Sequence, residues 1–341
     1  MTSRTATRPL RMGTRASALA RTQSGAAAAE LTRATGRAVE TVIVRTQGDE
    51  LSSEGKAPPG GDEAGVFVRA LDEALLRNEI DFAVHSLKDV PTAEAPGLVL
   101  AAVPARADAR DALVVASRHA GITSIAALPK GARVATSSPR RVSQLLRVRP
   151  DLVTVAMPGN VDTRLRRLEE GRADALILAC AGLDRLGKGA VITRRLEPRE
   201  MLGAPAQGAL GIGCRANDAE TQGILAALED PISRAAVQAE RDLLHFLRGG
   251  CRAPVGARGF LEGEEGRRTL RLVGRVLSLD GRECLEEELS EPWAPPLPSS
   301  PSKKSSSSSF PPSCLGRELA ERLLARGAAR LIDAARERIP R

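Results

Sequence analysis

The segment 81–91 joins a short apolar run to three polar residues that precede a proline. The apolar part has the length of a buried strand, and Ser86, Lys88 and Asp89 mark its end, because proline cannot continue a sheet ladder. Upstream, residues 66–76 carry apolar side chains at helical spacing. Ligands bind outside the carboxyl ends of parallel strands, so this segment is a candidate site. On this segment alone, an ordinary solvated loop containing Lys88 and Asp89 is an equal alternative.

The same alternation of strand and helix extends along the first two thirds of the chain. Predicted helices cover 17–35, 142–147 and 163–170, and predicted strands cover 10–14, 41–45, 98–103, 112–116, 132–136, 153–156 and 174–179. This spacing favours parallel sheets in both halves. A weak similarity between 76–89 and 168–184 suggests a duplicated unit. Residues 46–65, which follow the predicted strand 41–45, lack periodicity and predict a long loop.

The last third changes character. A strong helix is predicted over 232–247, followed by strands at 255–261, 269–279 and 283–289, and Asp280-Gly281 between the last two is a strong hairpin signal. These strands predict a small antiparallel sheet. Residues 292–312 are rich in Pro, Ser and Lys, which predicts a disordered insertion before a closing helix at 315–338.

Length and composition limit the number of domains and the classes of ligand to be expected. The 341 residues predict two or three domains. The absence of tyrosine and a single tryptophan argue against a surface that stacks on single-stranded bases, so no nucleic-acid partner is expected. The net charge of +8 has two explanations, because only six of the fifty basic residues are lysine. One is a genome that favours arginine, and the other is a polyanionic ligand, which guanidinium groups bind through paired hydrogen bonds.

The five cysteines are scattered and contain no Cys-x-x-Cys pair. This pattern fits neither a disulfide framework nor a zinc site, and we expect no metal. Residues 1–13 lack an apolar signal segment, and no apolar run has membrane-spanning length. We therefore expect a cytoplasmic protein with no membrane partner.

Two further motifs carry candidate chemistry. A hydroxyl-rich turn at 136–141 places Arg140 and Arg141 at a helix start, where free backbone amides and the helix dipole favour anions. An ordinary helix cap beside two solvated arginines is the alternative. Cys251 follows two glycines after the 232–247 helix, and taken alone it is more often a small buried hydrophobe than a nucleophile.

Six motifs together are far more specific than any one of them. In chain order they are Val-His-Ser-Leu-Lys-Asp-Val-Pro at 84–91, Thr-Ser-Ser-Pro-Arg-Arg at 136–141, Gly-Asn-Val-Asp-Thr-Arg-Leu at 159–165, Ala-Gly-Leu-Asp-Arg-Leu-Gly at 181–187, Gln-Gly-Ala-Leu-Gly at 207–211 and Gly-Gly-Cys at 249–251. This order resembles the porphobilinogen deaminases, also called hydroxymethylbilane synthases. The resemblance covers nearly the whole chain apart from the Ser-rich insertion.

The resemblance implies an α/β fold with two lobes like those of periplasmic binding proteins, each built on a doubly wound sheet. A small α+β C-terminal domain with a three-stranded antiparallel sheet would carry Cys251. Lobe one is expected at 1–104 and 203–222, lobe two at 105–202, and the C-terminal domain at 223–341.

The resemblance also implies a transferase that acts as a monomer. It would join four porphobilinogens head to tail onto a dipyrromethane cofactor held by a thioether to Cys251, releasing ammonia and hydroxymethylbilane for tetrapyrrole biosynthesis. Asp89 matches the catalytic carboxylate, which would stabilise the azafulvene cation left by ammonia. The positions that match cofactor binders are Ser86, Lys88, Thr136, Ser138, Arg140, Arg141 and Arg164, and those that match substrate binders are Arg15, Ser17 and Arg185.

Two positions depart from the family pattern. Ala64 stands where many relatives have lysine, and Pro158 stands where they usually have arginine. The second change removes a cation and a backbone donor, which puts efficient chain elongation in question. The competing hypothesis is a non-catalytic module whose two lobes close on a small anion.

Overall fold

A computed structural model describes residues 8–44, 63–93, 95–250, 253–264, 267–295 and 314–338. Cys251, most of the predicted 46–65 loop and most of the predicted 292–312 insertion lie outside these ranges. The strands are β1 (Leu10–Thr14), β2 (Val39–Ile43), β3 (Phe82–Ser86), β4 (Leu98–Ala102), β5 (Asp111–Val115), β6 (Arg133–Ala135), β7 (Val153–Val155), β8 (Ala175–Ala179), β9 (Arg194–Arg195), β10 (Leu210–Arg215), β11 (Val255–Glu262), β12 (Arg268–Leu277) and β13 (Cys284–Trp293).

The helices alternate with these strands in the first two thirds of the chain and cover the sheet of the last third. They are α1 (Ala18–Thr35), α2 (Glu63–Leu76), α3 (Pro139–Val148), α4 (Val161–Glu169), α5 (Cys180–Arg185), α6 (Ala219–Leu225), α7 (Pro231–Phe246), α8 (Cys314–Ala325) and α9 (Ala328–Arg338). The predicted closing helix is therefore two helices. Gly327 separates them with a φ of 98°, a left-handed conformation that ends a helix.

The first sheet has the strand order β2-β1-β3-β10-β4. Strands β1, β2 and β3 are parallel, and β10 runs antiparallel to both of its neighbours. Both faces are covered: Phe82 packs in the cluster beneath α1, and Ala83 packs with Leu71 of α2 on the other side. Burial on both faces explains why β3 reads as a continuous apolar run.

The second sheet repeats this plan with the order β7-β6-β8-β5-β9. Here β6 is parallel to β7 and β8, whereas β5 is antiparallel to β8 and β9. The prediction of parallel sheets in both halves holds for four of the five strands in each sheet, and the strand in the fourth position is reversed. Both reversed strands come directly after the chain crosses from one sheet to the other. The end at which the chain enters the new sheet determines the direction of the strand.

The last third forms a three-stranded antiparallel sheet, β11-β12-β13, covered by α7, α8 and α9. Leu243, Leu272 and Leu319 lie in its core and are fully buried. Strand β13 continues through Trp293, which packs against the same core. The insertion predicted to begin at residue 292 therefore begins later, because its first two residues pair with β12.

Candidate active site

A cavity of about 290 Å³ lies between the two five-stranded sheets, at the carboxyl ends of β1, β3, β7 and β8. This is the position that the topology of open α/β sheets favours for a ligand. Its polar lining consists of Arg15, Ser17, Gln23, Ser86, Lys88, Asp89, Arg141, Asn160, Asp162, Arg164 and Arg185.

The end of β1 and the start of α1 supply one wall. Ser17 is the N-cap of α1 and accepts a hydrogen bond from the Ala20 amide at 3.3 Å, which fixes the turn that carries Arg15. Further along α1, the buried Gln23 side chain pairs with the Ser86 hydroxyl at 3.2 Å. This contact ties the first helix to the end of β3.

The exit of β3 supplies the next wall. A short 3₁₀ turn covers Leu87–Asp89, and the fully buried Leu87 anchors it. Lys88 and Asp89 both line the cavity. Burial lowers the pKa of Lys88 to about 8, with Asp89 and Asp111 opposing the shift and Arg140 and Arg141 adding to it. Within the described residues, no hydrogen bond or ion pair engages the Asp89 carboxylate, so this group is available to a bound cation.

Arg140 and Arg141 share one buried carboxylate at the start of β5. Asp111 is 0% exposed and lies 2.7 Å from Arg140 Nη1 and 2.6 Å from Arg141 Nη2. Burial alone would raise the pKa of Asp111, but the two guanidinium groups hold it well below its usual range. Two cations against one carboxylate leave a net positive charge, and Arg141 presents it to the cavity.

The second sheet completes the cavity through α4 and α5. Asn160 caps α4 by accepting a hydrogen bond from the Thr163 amide at 2.9 Å, and the same helix carries Arg164. Arg185 at the end of α5 donates to the Gly208 carbonyl at 2.7 Å, and burial lowers its pKa. Asp162 is already paired with Lys188, 2.8 Å away.

The structure brings most of the predicted site residues together. Thr136, Ser138 and Arg140 do not line the cavity. Arg140 is 3% exposed and also donates to the Leu202 carbonyl at 2.6 Å, so its guanidinium group is engaged inside the protein, and its predicted role as a cofactor binder stays a prediction. The carbonyl of Pro158 accepts a hydrogen bond from Arg167 Nη1 at 2.8 Å, and Pro158 itself is not part of the lining.

Gln23, Asp111 and Gln207 are among the polar residues of this region that sequence reasoning missed. Gln23 was a single glutamine in an alanine-rich helix, fewer than two turns after Ser17, which was a usable signal. Asp111 marked only the start of a strand. Gln207 belonged to a recognised motif but received no role, because nothing local shows that its side chain reaches both sheets.

The described residues contain neither a candidate metal cluster nor a candidate membrane span. No cluster of three or more His, Cys, Asp or Glu side chains is placed to hold a metal ion. None of the described helices has the length and apolar character needed to cross a membrane.

Comparison with known proteins gives a consistent result. Residues 10–223 match the family model "porphobilinogen deaminase, dipyromethane cofactor binding domain", and residues 234–297 match "porphobilinogen deaminase, C-terminal domain". The chain is 45% identical over 328 residues to porphobilinogen deaminase 1 of Streptomyces coelicolor, covering 95% of this chain and 97% of that protein. It is 43% identical to porphobilinogen deaminase of Pelobacter propionicus, covering 96% and 97%.

Solved structures with partial likeness include a periplasmic sulfonate-binding protein of Methylobacillus flagellatus, at 17% identity and a TM-score of 0.37 over 69% of this chain and 67% of that one. The methionine-binding protein MetQ shows 15% identity and a TM-score of 0.39 over 63% and 87%. Likeness at this level adds nothing to the assignment, which rests on the two family models and the sequence relatives. The chain belongs to the porphobilinogen deaminase family.

Proposed function

We propose that the chain is an active porphobilinogen deaminase, a transferase that joins four porphobilinogens head to tail and releases ammonia and hydroxymethylbilane. The observation that carries this proposal is the convergence of Arg15, Lys88, Arg141, Arg164 and Arg185 on one cavity that also contains Asp89. A decayed anion-binding module would keep the cations, but it would have no need for a carboxylate among them that, within the described residues, makes no hydrogen bond or ion pair.

The lining fits a dipyrromethane cofactor. Each pyrrole of that group carries an acetate and a propionate, and the cavity offers guanidinium, ammonium and hydroxyl donors from both sheets. These are the donors that bind carboxylates through charge-assisted hydrogen bonds. Ser86, Lys88, Arg141 and Arg164 would hold the cofactor, and Arg15, Ser17 and Arg185 would hold the incoming substrate. When bound, dipyrromethane supplies the pyrrole carbon to which the first porphobilinogen is joined.

Asp89 is the group placed to assist the chemistry. Loss of ammonia from porphobilinogen leaves a cation, and a carboxylate fixed in a partly buried cavity stabilises such a charge more strongly than water does. The same carboxylate accepts a hydrogen bond from a pyrrole N–H and moves protons over short distances. His85 does not compete for this role, because burial and the nearby Arg15 lower its pKa to about 4 and keep it neutral.

The intact mass of protein purified from a host that makes porphobilinogen tests the proposal. We expect an adduct equal to two condensed porphobilinogen units, and we expect Cys251→Ser to abolish it. Cys314→Ser is the matched control, because Cys314 is an exposed free thiol in the described residues and should leave the adduct unchanged. An unmodified Cys251 in the wild-type protein would refute the enzymatic assignment and favour the binding module.

We also propose that the protein works as a monomer in the cytoplasm. The monomer is the state that the family resemblance implies. A reducing compartment is supported by the free thiols of Cys180, Cys214, Cys284 and Cys314.

A further inference from the structure

The turn between the second sheet and β10 is held in an unusual conformation. Ala206 and Gly208 have φ values of 61° and 87°, both in the left-handed region. A Cβ on Gly208 would lie 2.6 Å from the Ala107 carbonyl oxygen, so the turn packs directly on segment 103–110, which joins β4 to β5. The Ala206 amide donates to Glu240 at 2.6 Å, and Glu240 is locked in a buried ion pair with Arg106. The turn is thus fixed from two sides.

This turn buries Gln207 completely and determines which way its amide points. Gln207 Nε2 donates to the Ala109 carbonyl at 2.9 Å and to Asp111 Oδ1 at 3.0 Å. Both amide hydrogens are used on that side, so the amide oxygen must face the opposite way. There it lies 3.4 Å from Lys88 Nζ. A flipped amide would set its hydrogens against the ammonium group and its oxygen against two acceptors.

We propose that Gln207 is a positioning residue, which holds the Lys88 ammonium protonated and directed into the cavity and links it to Asp111 across the two sheets. This rests on the proposed function, since Lys88 would bind ligand carboxylates there. The same turn positions a second cation, because the Gly208 carbonyl accepts the hydrogen bond from Arg185.

The physical need for this acceptor follows from the surroundings of Lys88. Burial disfavours the ammonium form, and Arg140 and Arg141 on α3 disfavour it further. Asp89 on the same turn and Asp111 on β5 favour it. With a pKa of about 8, Lys88 is charged at neutral pH by only a small margin. A hydrogen-bond acceptor favours the charged form, so removing the Gln207 oxygen lowers the pKa and discharges part of the population.

Lysine-selective ¹³Cε NMR measures this effect directly, because the chain has only six lysines. Lys88→Arg identifies the Lys88 signal by its loss. In Gln207→Met, which keeps the side-chain length but removes the amide, we expect the Lys88 titration midpoint to fall by about one pH unit, a tenfold change in the protonation equilibrium. The basic limb of the pH profile of kcat/KM for porphobilinogen should move down with it.

Gln144→Met is the matched control. Gln144 is equally buried and also bridges parts of the chain, through Leu202 and Arg275, but it makes no hydrogen bond to Lys88. Both variants lose buried hydrogen bonds, so both lower the melting temperature, and only Gln207→Met should shift the Lys88 titration.

An unshifted Lys88 midpoint in folded Gln207→Met, or equal shifts in both variants, would overturn the proposal. If Gln207→Met does not fold, Gln207→Asn provides the same test, because its shorter amide keeps the polarity but cannot reach Lys88 and Asp111 together. The NMR titration is independent of whether Cys251 carries an adduct, so failure of the proposed function would be seen separately in the intact mass.

Discussion

The carboxylate of Asp111 shows how a single residue separates the roles of two neighbouring arginines. Asp111 lies between the guanidinium groups of Arg140 and Arg141 and is fully buried. Removing this carboxylate would leave two buried cations without a compensating charge. The free-energy cost of that state is far larger than the net stabilisation that the ion pairs provide. The guanidinium group of Arg140 binds Asp111 and the Leu202 carbonyl inside the protein, whereas Arg141 borders the cavity. Direct contact of Arg140 with a ligand stays a prediction from the family motif.

Asp89 is the residue on which we expect turnover to depend most steeply. Asp89→Asn keeps the shape of the side chain but removes the charge that would stabilise the cation left by ammonia. Loss of one preorganised stabilising group costs about 3 to 4 kcal/mol of barrier, so kcat should fall by about 10² to 10³. The melting temperature should hardly change, because within the described residues the carboxylate makes no hydrogen bond or ion pair.

Asp162→Asn is the comparison for that experiment. Asp162 lines the same cavity, but its charge is paired with Lys188. Its kcat should therefore fall much less than that of Asp89→Asn. Equal losses in the two variants would mean that net charge in the cavity matters and that Asp89 has no special role.

At the scale of elements, the sequence predicted most strands and helices, but not β9, β10, α5 or α6, and not the direction of every strand. A strand buried on both faces has the same apolar pattern whether it runs parallel or antiparallel to its neighbours, so nothing in β5 reveals its reversal. Strand β10 was not predicted at all, since Gly211 and Gly213 weaken its pattern. A Cβ at Gly211 would lie 2.8 Å from a terminal methyl of Leu87 and 2.9 Å from one of Leu100, so alanine there would require both side chains to shift.

The β12–β13 hairpin should depend on Gly281 for its packing against α3. Gly281 has a φ of 73°, and a Cβ there would lie 2.5 Å from both the Arg147 nitrogen and the Ser143 carbonyl oxygen. Gly131 has the same φ of 73° with nothing within 4 Å of the added atom. Left-handed backbone strain in each alanine variant should lower the free energy of unfolding by about 1 to 2 kcal/mol. Overpacking in Gly281→Ala should lower the free energy of unfolding by a further 1 to 3 kcal/mol, roughly.

Urea denaturation of the two variants measures the difference in free energy of unfolding. The clash at Gly281 is with backbone atoms of α3, which cannot rotate away as a side chain can. Similar losses for Gly281→Ala and Gly131→Ala would show that the hairpin does not rest on the helix.

At the scale of the whole molecule, the contacts that join the three sheets were beyond sequence reasoning. Arg241 of α7 donates to the carbonyls of Val90 and Pro91 after β3, and Arg275 of β12 donates to Gln144 of α3 at 2.7 Å. These partners are far apart in the chain and follow no periodic pattern. Most of the predicted site residues lie in the local motifs that carry the family resemblance, whereas the role proposed for Gln207 depends on partners that are distant in the chain.

The segment that follows β13 is expected to contribute little to stability. Residues 296–313 are dominated by Ser and Pro, a composition that predicts too little apolar burial to offset the entropy of ordering. Replacing residues 297–312 with a short Gly-Ser linker should therefore change the free energy of unfolding by less than about 0.5 kcal/mol and leave activity unchanged. Extending the replacement back to Trp293 should cost about 1 to 3 kcal/mol, because this half-buried side chain packs on the C-terminal core.

Thermal and urea denaturation of both replacement variants separate the two parts of the segment. Trp293 pairs with Arg268 at the end of β12, so its loss also shortens the β12–β13 ladder. The shorter replacement leaves that ladder whole and changes only the connection to α8. A large destabilisation by the shorter replacement would show that residues 297–312 make contacts that their composition does not predict, and the boundary drawn after Trp293 would then have no energetic meaning.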